Sequence, residues 1–179
     1  MTITKEDIPP HIDLDRLNET IEKIKNRTIN KGKENRGQGL TLAYRYMMLE
    51  QSRLAERGSS FLYVGHNYDL AKQQLVEVAA LLEAESGNNI VNVNLSSLYI
   101  RYTRERDRKN TALFEYDRYL QFRFISVETL LKNSGGCVRG IRTKQVYTDY
   151  DPFNRFNSKD FRRLTDVYYY LESIGTEIL

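Results

Sequence analysis

The chain has 179 residues, a formal net charge of +3 and 28% charged residues. That size suits one domain with a sizeable core, and the mildly basic balance permits a polyanionic partner without demanding one. A single cysteine, Cys137, excludes an internal disulfide and any multi-cysteine metal site, and two histidines, His11 and His66, leave a zinc site almost without ligands.

The longest apolar runs are too short to cross a bilayer, and the first residues, with Lys5, Glu6, Asp7, Pro9 and Pro10, carry no apolar signal-peptide core. The expected location is therefore the cytoplasm. The aromatic residues are 13 Tyr and 7 Phe with no Trp. Tyrosines stack on bases, but the commoner use of so many is as amphipathic aromatics on half-buried faces.

Along the chain, Ile12, Leu14, Leu17, Ile21 and Ile24 recur at three- and four-residue spacing. This predicts an amphipathic helix over residues 13–27, within an N-terminal helical segment (1–30) laid on the outside of a domain formed by residues 31–179. Residues 26–38 turn polar and basic, as a loop does. Within them begins Glu34-Asn35-Arg36-Gly37-Gln38-Gly39-Leu40-Thr41, a glycine-bearing turn that runs into an apolar-periodic helix.

Such a turn has the form of a phosphate-binding loop, in which backbone N–H groups and a helix N-terminus close around an anion. The full pattern, G-x-x-x-x-G-K-[ST], uses its lysine for the outer phosphates and its hydroxyl for magnesium. Here Thr41 supplies the hydroxyl, Leu40 stands in the lysine position and Glu34 in that of the first glycine. Arg36, Gly37, Gln38, Gly39 and Thr41 are the candidate phosphate contacts. The buried strand that normally precedes such a loop has one candidate, Arg27-Thr28-Ile29-Asn30.

Leu42 to about Arg57 is helical in period, with Gly58 as its stop, and Ser60-Phe61-Leu62-Tyr63-Val64-Gly65 is a short apolar run of the kind found in strands covered on both faces. A second helix is expected over residues 70–85, capped from the segment 66–69. Short strands follow at 90–93 and 98–102. Residues 101–109, dense in charge, read as an exposed hairpin or loop. Further expectations are a strand at 119–125, a short helix at 127–131, and a strand within 140–151 that ends in Asp149 and Asp151. A helix from Ser158 or Asp160 to about Ser173 and a final strand at 176–179 complete the chain. The order predicts a three-layer α/β domain with a mostly parallel sheet and helices on both faces. In such sheets ligands gather beyond the C-terminal ends of the strands, which makes Asp149 and Asp151 candidate catalytic acids. Glu115, Asp117 and Glu128 have no spacing that singles out an acid/base pair.

Taken together, these motifs resemble the N-terminal ATPase half of phage terminase large subunits and related helicase-like P-loop ATPases, over roughly residues 28–175. Arg36 to Thr41 is similar to the family's arginine-containing phosphate loop. Phe61 to Gly65 and the helix after it are similar to its next strand and helix. Phe124-Ile125-Ser126, Val138 to Arg142 and Val146-Tyr147-Thr148-Asp149 are similar to the approach to its Walker B strand. The resemblance implies ATP and Mg2+ as cofactors, with Thr41 and Asp149 at the metal, and puts the family's catalytic glutamate at Tyr150, beside Asp151. It also implies a phage origin and a role in DNA packaging or processing, in the cytoplasm of the host.

Loss of both the lysine and the glutamate removes charge stabilisation and positioning of the attacking water, the main contributions to phosphoryl transfer. The expectation is a degenerate, non-hydrolysing domain that binds nucleic acid or another phage or host protein. The alternative is a weakly active ATPase rescued by Lys33 reaching in for Leu40. Nucleic-acid contacts are expected from Lys31, Lys33, Arg101, Arg104, Arg106 and Arg108, aided by Tyr99 and Tyr102.

Overall fold

A computed structural model describes residues 3–29, 31, 39–109, 114, 118–132, 135–149 and 158–179. It shows an α/β fold whose six strands form one sheet in the order β2-β3-β4-β1-β5-β6. Strand β1 (Ser60–Gly65) lies between β4 (Leu120–Ser126) and β5 (Thr143–Thr148), parallel to both, and β6 (Glu177–Ile178) adds in parallel to β5. Beyond β4 the sheet turns antiparallel through β3 (Tyr99–Thr103) and β2 (Ile90–Asn94).

Strand β1 shows why the sheet is layered on both sides. Successive side chains of a strand point to opposite faces. Phe61 and Tyr63 enter one core with Phe122, Phe124 and Tyr147, while Leu62 and Val64 enter a second core with Ile125 and Val146. The first core is closed by helices α1 (Leu14–Lys25), α2 (Leu40–Leu54) and α3 (Tyr68–Glu83). The second is closed by α5 (Val127–Leu131) and by α6 (Ser158–Ser173), which contributes Leu164, Val167, Tyr168 and Leu171. Each large apolar side chain so covered stabilises the fold by roughly 1.5–3 kcal/mol. The N-terminal helix α1 buries Leu17, Ile21 and Ile24 in the first core, and Arg53 of α2 ties the segment before α1 to the turn after α3 through Asp7 and Glu85, both at 2.6 Å.

Two expectations need correction. The stretch held in reserve as the strand before the phosphate loop terminates α1 instead. Arg27 sits in the left-handed region at φ 55°, its amide bonds to Ile24 O at 3.0 Å, and the Thr28 amide reaches back to Lys23 O at 2.9 Å. This pair of bonds is the Schellman arrangement that closes a helix, and an extended Arg27 would forfeit both. Among the described residues the first strand is β1, which follows α2.

The charged stretch after Tyr102 is likewise no exposed loop. Arg101 to Thr103 belong to β3, and the short helix α4 (Glu105–Arg108) follows. Arg104 and Asp107 are buried and paired at 2.6 Å, and Arg104 Nη1 donates to Ala55 O at 2.6 Å and to Ser52 O and Arg53 O at 3.4 Å. The last carbonyls of a helix have no partner within it, and a guanidinium, with its fixed fork of donors, satisfies several at once. This cation therefore ends α2.

Candidate functional site

The candidate site lies where β1 and β5 finish. Tyr63 of β1 stands opposite Tyr147 of β5, and both side chains enter the first core. Two residues beyond Tyr147, Asp149 returns to that face by strand alternation. The residue is 8% exposed, Oδ2 accepts a short hydrogen bond from the Tyr63 hydroxyl, and Oδ1 is buried with no hydrogen-bond partner among the described residues.

A buried acceptor without a donor ordinarily costs about 1–3 kcal/mol, more for a charged group. Burial raises the Asp149 carboxyl above the ordinary carboxylate value. The Tyr63 bond, and the fields of His66 and Lys31, pull it down only in part.

Around the carboxylate the aromatics form a wall. Tyr44, in the second turn of α2, packs against Tyr147 at 5.5 Å and Tyr63 at 6.3 Å between ring centroids, and Tyr63 against Phe124 at 6.1 Å. The Tyr44 hydroxyl donates to Thr148 O at 2.7 Å and lies 3.1 Å from Leu179 O. Burial, and then the charge of Asp149, holds this phenol well above its ordinary value, so it remains a donor throughout the usual pH range. From the opposite face Tyr168 of α6 bonds to Thr148 Oγ1 at 3.0 Å.

Two helix starts converge on this end of the sheet. Gly39 caps α2 in the left-handed region, at φ 77°, with no side-chain cap, a conformation that favours glycine. The contact of Tyr44 with Thr148 brings this start to the end of β5. After β1, Gly65 leads into His66 and Asn67, whose Oδ1 caps α3 by accepting from the Leu70 amide at 2.8 Å. A Cβ on Gly65 would lie 3.1 Å from Tyr63 Cε1 and 3.4 Å from the Ala71 amide nitrogen, so glycine lets α3 start close against the Tyr63 ring.

The sequence candidates divide accordingly. Gly39 and Asp149 come to the same end of the sheet. Thr41 lies in the first turn of α2, where its carbonyl accepts from Gln74 Nε2 at 2.7 Å. Arg36, Gly37, Gln38, Lys33, Tyr150 and Asp151 lie outside the described residues.

Lys31, expected on nucleic acid, has its ammonium on Thr148 O at 3.0 Å and 5.7 Å from the Tyr44 ring centre. It is the cation beside Asp149. Arg101 is exposed between the rings of Tyr99 and Tyr119, 5.0 Å from each centre. Arg106, exposed, donates to Arg53 O at 3.0 Å, and Arg108 is exposed on α4. Arg104, buried at the end of α2, faces no solvent partner. Tyr44, Tyr63, Gly65 and His66 were missed as site residues. The only sequence signal for them was that Tyr63 and Tyr147 sit at equivalent places in two apolar runs.

Chemically, the described residues offer one carboxylate with a spare oxygen, a lysine, a histidine and an uncapped helix start. Among those that bear on Asp149 there is no second carboxylate to activate water. Magnesium is usually held by one or two carboxylates together with phosphate oxygens and water. The orphaned Oδ1 fits one such position. No group of three metal-binding side chains occurs among the described residues.

No family model, characterised protein or solved structure matches the chain.

Proposed function

We propose that the chain is a degenerate P-loop NTPase-like domain that binds the phosphates of a magnesium nucleotide without hydrolysing it, and serves a nucleic-acid or protein partner in phage DNA packaging or processing. The observation that carries this reading is the buried Asp149 carboxylate, with one oxygen held by Tyr63 and the other unpartnered, at the end of the sheet where α2 begins. A magnesium ion brought in with a nucleotide supplies the positive charge that such a carboxylate lacks.

In this reading Asp149 and the Thr41 hydroxyl would hold the magnesium ion, which would neutralise the charge of the phosphates. Lys31, whose field acts on Asp149, would supply the cation that Leu40 does not. Tyr44 and Tyr63 hold the strand end rigid, and the wall they form keeps bulk water from its inner side. Leu40 in the lysine position and Tyr150 in that of the catalytic glutamate support binding without turnover.

The pH dependence follows from the raised Asp149 carboxyl. Metal binding requires the ionised form, so affinity for the magnesium nucleotide should rise with pH until Asp149 is deprotonated, then level off. The test is titration with Mg–ATP, read by calorimetry at several pH values and then by phosphate release. Binding that strengthens with pH, without release above the uncatalysed rate, is expected. Robust turnover lost in Asp149→Ala would establish the active-ATPase alternative instead.

A further inference from the structure

The opposite end of the same two strands carries a second, chemically different feature. Where β1 and β5 begin, about 20 Å from Asp149 at the usual rise per strand residue, the segments 56–59 and 140–144 enclose a groove of about 740 Å³ with Tyr170 and Ile174 of the α6 region. Its charged lining is Arg57, Arg142 and Lys144 against Glu56 alone. All three cations are exposed, and none forms an ion pair or hydrogen bond among the described residues. A fourth cation, Arg139, stands 5.8 Å from the centre of the Tyr170 ring. Tyr170 and Ile174 are 36% and 49% exposed and give the groove an apolar side.

We propose that this groove binds single-stranded nucleic acid, with Arg57, Arg142 and Lys144 on successive phosphates and Tyr170 as a stacking surface for a base, clamped by Arg139. The inference rests on the nucleic-acid branch of the proposed function and is independent of nucleotide binding at Asp149. Unpaired cations concentrated on one concave surface make a path for a phosphate backbone, and an adjoining exposed aromatic gives the sequence-tolerant stacking by which single strands are held. A duplex, with its bases already stacked, has no use for Tyr170. An acidic peptide would meet the same cations and leave the ring idle.

The experiment is fluorescence anisotropy of a labelled oligothymidylate at low and moderate salt, with duplex DNA and polyglutamate as competitors. The variants are Arg142→Ala with Lys144→Ala, Tyr170→Ala, and Arg106→Ala with Arg108→Ala, each checked for an unchanged melting midpoint. Wild type should bind the oligonucleotide in preference to both competitors. The groove pair should lower the slope of log affinity against log salt by about 1.4 units, at about 0.7 per phosphate contact on a single strand. Tyr170→Ala should weaken binding about tenfold.

Binding that survives the groove variants and fails in the Arg106 and Arg108 pair would overturn the groove while leaving a nucleic-acid partner in place. Equal competition by polyglutamate would assign the groove to an acidic protein. Absence of oligonucleotide binding at low salt would overturn the groove proposal, and with duplex also unbound it would remove the nucleic-acid branch altogether.

Discussion

The two ends of the parallel strands β1 and β5 are built on opposite principles. At the end where they finish, the polar groups that meet Asp149 and Thr148 include buried tyrosine hydroxyls. Tyr63, Tyr44 and Tyr168 are packed among aromatic and aliphatic side chains, and their hydroxyls fix the carbonyl and side chain of Thr148 and one oxygen of Asp149. At the end where they begin, cations are numerous and exposed, and none of Arg57, Arg142 and Lys144 is held by a partner among the described residues. A buried polar group acts strongly because it is desolvated and fixed, whereas exposed charges act weakly one by one and gain only through a polyanion that meets several. Substitution should therefore damage the fold at the first end and leave it intact at the second.

The largest contrast is between two tyrosines. Tyr44 is fully buried and donates to the Thr148 carbonyl, so Tyr44→Ala should destabilise the protein by about 3–5 kcal/mol. Tyr170→Ala, at the exposed end, should change stability by no more than about 0.5 kcal/mol. Urea denaturation of both variants checks this, and a small cost at Tyr44 would mean that the aromatic wall does not hold the end of β5.

A contrast of two arginines comes next. Arg104→Ala removes the group that ends α2 and strands the Asp107 carboxylate, at a cost of about 3 kcal/mol. Replacing Asp107 as well should recover part of that loss, while Arg142→Ala should be neutral. The same denaturation experiment decides it, and equal effects of Arg104→Ala and Arg142→Ala would break the distinction between the charges that shape the fold and those that face a ligand.

How much of this could be read in advance follows the range of the interactions. The apolar run Phe61 to Val64 betrayed a strand covered on both faces because no polar residue interrupts it, and the helices declared themselves by the recurrence of Leu, Ile and Val at one turn's spacing. Asp149 was legible as a strand-end acid because Val146 and Tyr147 precede it.

The partners of these residues were not legible. Lys31 meets Thr148 across 117 positions, Tyr63 meets Asp149 across 86, and Arg104 meets Ala55 across 49. No local periodicity records such pairings. Charge density misled for the same reason. The segment after Tyr102 reads as solvated because six of its residues, Arg104 to Lys109, are charged. Two of the six, Arg104 and Asp107, neutralise each other inside, and Arg104 takes up the loose carbonyls of a distant helix. Arg27 misled in the other direction, since a non-glycine residue in the left-handed region gives no compositional sign of ending a helix.

The proposal that Asp149 binds a metal-bound phosphate is tested most directly by thermal melting of wild type and Asp149→Asn, with and without Mg–ATP. Burial raises the Asp149 carboxyl from 3.8, so its contribution to stability is full below that value and is lost as pH rises through the folded-state value. Asp149→Asn should therefore melt higher than wild type at neutral pH, and the difference should fade on acidification. Nucleotide at a hundredfold excess over its dissociation constant should raise the wild-type midpoint by about 5–10 °C, from roughly 2.7 kcal/mol of linkage at this chain length. The variant should gain little. A variant that starts more stable and no longer responds to nucleotide is the predicted result; an equal response in both proteins, or none in wild type at any pH, would contradict the claim.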